Sequence, residues 1–118
     1  MTTSDERTAL TVETYFAAWQ TRDFARLSTV LAEDVDFVGA MGAAQGPQDC
    51  LAGLRGVRDL IDDIHVVRRW VDGPDAITWF ELRRDDHHPI PTVNWSHVGG
   101  DGRIDRIRVT FDPRPLLG

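Results

Sequence analysis

The chain has no lysine: all 13 basic residues are arginine, set against 19 carboxylates. The formal net charge is −6, and the arginines are scattered rather than gathered into a stripe. This balance argues against nucleic acid and anionic membrane as partners. Cysteine is nearly absent. Cys50 alone permits no intrachain disulfide, which fits a cytoplasmic protein in a reducing compartment. It lies in an apolar helical pattern with no histidine near it and is expected to fill core. No apolar run is long enough to cross a bilayer, and the polar N-terminus lacks the apolar stretch of a signal peptide. There is no Gly-rich phosphate loop, nucleophile elbow or zinc motif, and no internal repeat or linker. What remains is 118 residues, 42% hydrophobic and 27% charged, the composition of one soluble domain over 1–118.

Residues 1–7 are expected to fray. Ala9, Val12, Phe16 and Trp19 recur at helical spacing and predict a helix over 8–22, with Tyr15 flanking the stripe. Asp23 is placed to cap a short second helix carrying Phe24, Leu27 and Leu31. Residues 35–41 read as a strand with Val35, Phe37, Gly39 and Met41 on one face. Residues 39–46 form a small-residue loop or return strand. Pro47 opens a third helix to about Leu60. Gly53 and Gly56 cost that helix roughly 1 kcal/mol each, so tertiary packing, such as a close approach to the sheet, is expected to hold it. Strands follow at 64–71 and 75–83 around Asp72-Gly73-Pro74. The last two runs, 91–98 and 103–111, flank Gly99-Gly100-Asp101-Gly102 and predict a β-hairpin. In it Thr92, Asn94, Ser96 and Val98 share a face, as do Ile107, Val109 and Phe111. Helices followed by strands give an α+β fold. Bending that sheet around the helices would enclose a pocket with Asn94 as its most conspicuous polar group.

Several segments resemble the SnoaL-like branch of the nuclear transport factor 2-like superfamily. They are Tyr15-Phe16-Ala17-Ala18-Trp19 with Arg22-Asp23-Phe24, then Leu31-Ala32-Glu33-Asp34-Val35-Asp36-Phe37, then Gly46-Pro47. Asp101-Gly102-Arg103-Ile104 leading to Phe111-Asp112-Pro113-Arg114-Pro115 completes the set. The resemblance implies a cone-shaped, strongly bent antiparallel sheet with three helices of the N-terminal half on its concave side. It also implies an apolar cavity, and often a homodimer joined through the outer sheet face. Members include ketosteroid isomerase, polyketide cyclases, limonene epoxide hydrolase and proteins that bind ligands without known chemistry, so the fold decides no activity. Registered on ketosteroid isomerase, the base position falls on Gly39, the oxyanion aspartate on Asn94, and the oxyanion tyrosine within a residue of Tyr15.

The resulting candidates are Asn94 and Tyr15, to position or polarise a ligand oxygen, with Glu81 and His65 as a proton-transfer pair on adjacent strands. Glu81 faces the pocket only if Ile77 and Trp79 do; the strand is apolar on both faces, so parity leaves this open. Trp19, Phe37, Met41, Trp79 and Phe111 are the expected apolar lining, each with plain core packing as its alternative. His87 and His88 are expected in a solvated loop, His97 on the outer surface or a dimer interface, and Asp34 and Asp36 toward solvent. No metal site and no cofactor is implied. The leading expectation is a protein that takes a small apolar or aromatic molecule, with isomerase or cyclase chemistry open. A ligand-binding or dimerisation module without catalysis is the alternative, supported by the missing base at Gly39. An epoxide hydrolase is a weaker third, because it needs an Asp-Arg-Asp relay inside the cone.

Overall fold

The computed structural model describes residues 3–117. The first helix, α1 (Ser4–Gln20), starts earlier than its apolar stripe suggests. Thr3 caps it, its hydroxyl accepting from the Glu6 amide at 3.1 Å, with Asp5 and Glu6 in the first turn facing the positive end of the helix. The expected fraying therefore does not extend over residues 4–7, and residues 1 and 2 lie outside the described part. Tertiary bonds explain the difference. Asp5 accepts from the Gly73 amide at 2.6 Å, and Thr8 donates to the Gly73 carbonyl at 2.7 Å. The turn between the third and fourth strands is thus tied to the start of α1. At the other end Arg22 takes φ 60°, the left-handed region that ends helices. Asp23 then caps α2 (Phe24–Ser28) by accepting from Arg26 N.

Strand β1 (Leu31–Gly39) also begins early, because Leu31 and Ala32 are both buried. It returns through β2 (Gly42–Gln45) into α3 (Gly46–Asp59), with Pro47 in the first turn. Next come β3 (Asp63–Asp72), β4 (Asp75–Arg83), β5 (Ile90–Val98), β6 (Ile104–Thr110) and the short α4 (Arg114–Leu117). They form one curved, unclosed sheet in the order β2-β1-β6-β5-β4-β3. All pairings are antiparallel except β1 with β6, which is parallel and joins the N-terminal hairpin to the C-terminal strands. No helix among the described residues is long and apolar enough to cross a membrane.

Alternation fixes what each face presents. On β5 Thr92, Asn94, Ser96 and Val98 are buried, as the hairpin reading expects. On β4 Ala76, Thr78, Phe80 and Leu82 are buried, so Ile77, Trp79 and Glu81 point to the convex side. The helices cover the concave side with Val12, Tyr15, Phe16, Trp19, Leu27, Cys50 and Leu54. Cys50 packs there as core filler. Arg58 is buried too. Its guanidinium donates to the carbonyls of Gln20, Ile61 and Asp62, which gives a desolvated charge the partners it needs.

Candidate functional site

A cavity of about 530 Å³ opens between the concave face of the sheet and helices α1 and α3. Its volume is in the range of small-molecule sites. Aromatic groups form its deep wall. Trp19 and Phe80 meet edge to face at 5.8 Å between ring centres, and Tyr15 stacks against Phe16 in the same manner at 5.0 Å. Trp19 is further held by its indole N–H, which donates to the Leu54 carbonyl at 2.9 Å. Phe37, Met41, Val109 and Phe111 add apolar lining from β1, its turn and the β6 end.

Two polar groups stand out against this wall. Tyr15 and Asn94 are fully buried and line the cavity, yet among the described residues neither Tyr15 Oη nor Asn94 Nδ2 has a hydrogen-bond partner. Buried polar groups are nearly always paired, and an orphaned one costs about 1–3 kcal/mol. The Ser96 hydroxyl donates to Asn94 Oδ1 at 2.6 Å, which occupies one of the two acceptor sites of the amide oxygen and turns its donors away from Ser96. Burial raises the Tyr15 pKa well above 10.0, and nearby Cys50 adds to the rise. The Asn94 amide lies beside the hydroxyl and opposes the rise as the smallest of the three influences, but the two close no hydrogen bond. Burial also pushes the Cys50 thiol up to about 12. At neutral pH both groups are therefore uncharged. The deep end offers hydrogen-bond donors and no base.

Of the nine candidate residues, Tyr15, Asn94, Trp19, Phe37, Met41 and Phe111 come together around the cavity. Glu81, His65 and Trp79 do not. Trp79 is 46% exposed, and Glu81 accepts from Arg83 at 2.7 Å. His65 does sit directly across from Glu81 in the β3–β4 register, so the two strands are adjacent as expected. The pair belongs to the wrong face, however, and His65 is exposed beside a separate cleft with Glu13 and Arg69. Asp36, anticipated in solvent, is half-buried and accepts from Arg108 at 2.8 Å. That hydrogen bond holds its carboxyl below the usual range. His97 is half-buried, on the outer side, with Nδ1 2.7 Å from Asp105. His87 and His88 are exposed in the β4–β5 connection.

The sequence reading put Thr92 on the Asn94 face without naming it as lining, left the phase of Phe80 open, and missed the whole α3 wall. Asp49, Gly53, Gly56 and Leu60 recur at four-, three- and four-residue spacing and line the cavity mouth. Asp49 is the only carboxylate in that lining. Their spacing was visible, but two glycines and an aspartate carry no apolar signal.

A model of the SnoaL-like domain matches residues 12–107. The chain belongs to the SnoaL-like family. No curated protein matches this SnoaL-like chain. Its fold is shared with an NTF2-like protein of unknown function from Cytophaga hutchinsonii (TM-score 0.78, 23% identity, 94% of this chain and 95% of that one). A Kribbella flavida protein provisionally named a ketosteroid isomerase matches at TM-score 0.82 and 23% identity, over 95% and 82% of the two chains. A Mycobacterium tuberculosis LEH-like epoxide hydrolase matches at 0.75 and 21%, over 94% and 86%. At these identities the likeness concerns the fold alone.

Proposed function

We propose that this SnoaL-like protein binds a neutral, mainly apolar molecule whose single oxygen is received at the deep end by Asn94 Nδ2 and Tyr15 Oη. The observation that carries this reading is the pair of buried donors without partners among the described residues, both lining the cavity. A ligand carbonyl would supply the acceptor both lack, and the aromatic wall would stabilise the rest of the molecule by burial.

Binding is favoured over acid–base turnover by the absence of a base beside those donors. The position that a carboxylate base would take is Gly39. A Cβ built there would stand 2.8 Å from Phe37 Cε1, so the Phe37 ring fills the space a carboxylate would need. Isomerase or cyclase chemistry would have to rely on Asp49, which is exposed at the mouth. Hydrolysis through an Asp-Arg-Asp relay has less support still, because the lining contains no arginine. The exposed outer-face residues Trp70, Ile77 and Trp79 extend the proposal to a second copy of this chain as partner, paired through the convex side of the sheet.

The test is calorimetric titration with 2-acetylnaphthalene, a neutral aryl ketone, into the protein and its Asn94→Ala variant. A saturable site weakened about 10-fold in the variant, some 1.4 kcal/mol, is expected. Equal affinity in a folded variant removes Asn94 from the site.

A further inference from the structure

Gly53 and Gly56 have no packing reason to be glycine. Both lie inside α3 with ordinary helical φ, where glycine is less favourable than alanine. Helix α3 does pack close to β1 and buries Cys50 and Leu54, but the two glycines do not make that contact: a Cβ added at either position meets nothing within 4 Å. Turn geometry does not require them either, in contrast to Gly42, Gly46, Gly73 and Gly102, which have φ between 60° and 153°. What the two share is a place on the cavity lining, on the stripe that begins at Asp49 and ends at Leu60. Across the mouth the β1–β2 turn carries Met41 among small residues, Gly39, Ala40, Gly42, Ala43 and Ala44.

A helix face that gives up stability and fills no gap leaves space for something else. We infer that Gly53 and Gly56 are specificity-determining positions, whose missing side chains set how large a ligand the mouth admits once its oxygen has reached Asn94 and Tyr15. The inference rests on the cavity reading above, and the buried unpartnered donors of those two residues are its independent sign of a ligand. Both positions line the mouth and have open space around a Cβ, so leucine at either has room to narrow the opening. It would also be a better helix former than glycine.

The experiment compares wild-type protein with Gly53→Leu and Gly56→Leu, using a two-ring ketone, 2-acetylnaphthalene, and a four-ring one, 1-acetylpyrene. Thermal melting is recorded alongside. Both variants should melt no lower than wild type. Each should bind the small ketone within about threefold of wild type and lose about 10-fold or more in affinity for the large one, a cost of some 1.4 kcal/mol. Unchanged affinity for 1-acetylpyrene in folded variants overturns the inference and leaves the cavity reading standing. A variant that melts lower overturns it too, because the glycine is then structural. Wild-type protein that binds neither ketone overturns the cavity reading, and this inference with it.

Discussion

Asn94 was legible because strand alternation places its amide on one inward face with Thr92, Ser96 and Val98, and their burial around it follows the same alternation. Tyr15 was legible from the helix stripe, although only the folded arrangement shows its hydroxyl without a partner. Asp49, Gly53 and Gly56 were not legible, since their meaning depends on what stands across the cavity from them. Tyr15 is the only tyrosine, so no other phenol contributes to its ionisation signal. Burial raises its folded pKa above 10.0, so the native protein keeps a proton that the unfolded chain releases. Its contribution to stability is therefore complete below about pH 10 and is lost as pH climbs from there toward the folded value. Tyrosinate absorbance should appear only together with loss of the circular dichroism signal. A step near pH 10 with native dichroism would contradict the buried position.

At the level of elements, the terminal hairpin β5–β6 and the face of each of its strands follow from alternation and turn composition. The β4 strand does not, because Ile77 and Trp79 are as apolar as Phe80 and Leu82. Its phase is set by pairing: Thr78 lies across from Asn94, and Trp79 across from Val93, on the outer side. The starts of α1 and β1 were read late because their first residues are fastened by long-range bonds, such as Asp5 to Gly73, that leave no local signal. The outward phase of β4 has a direct consequence. Trp79→Glu should leave ketone binding unchanged and abolish self-association. Sedimentation should give a wild-type mass near twice 13.3 kDa and a variant at the single-chain mass. A variant that remains dimeric, or a monomeric wild type, would contradict the proposed outer-face pairing.

Across the whole molecule, the parallel β1–β6 pairing brings the N-terminal hairpin and the C-terminal strands into one sheet. That is what lets Phe37 and Met41 face the same cavity as Asn94, Val109 and Phe111. One amide rotation competes with the ligand reading. Ser96 can accept as well as donate, so a half-turn of Asn94 would direct Oδ1 at Tyr15 and pair both buried groups within the protein. Tyr15→Phe separates the two, measured as thermal stability and ketone affinity on the same sample. If the hydroxyl is reserved for a ligand, its removal should raise stability by about 1 kcal/mol and weaken 2-acetylnaphthalene about 10-fold. A variant that melts lower than wild type and binds the ketone equally well would show that Tyr15 serves Asn94 and not a ligand.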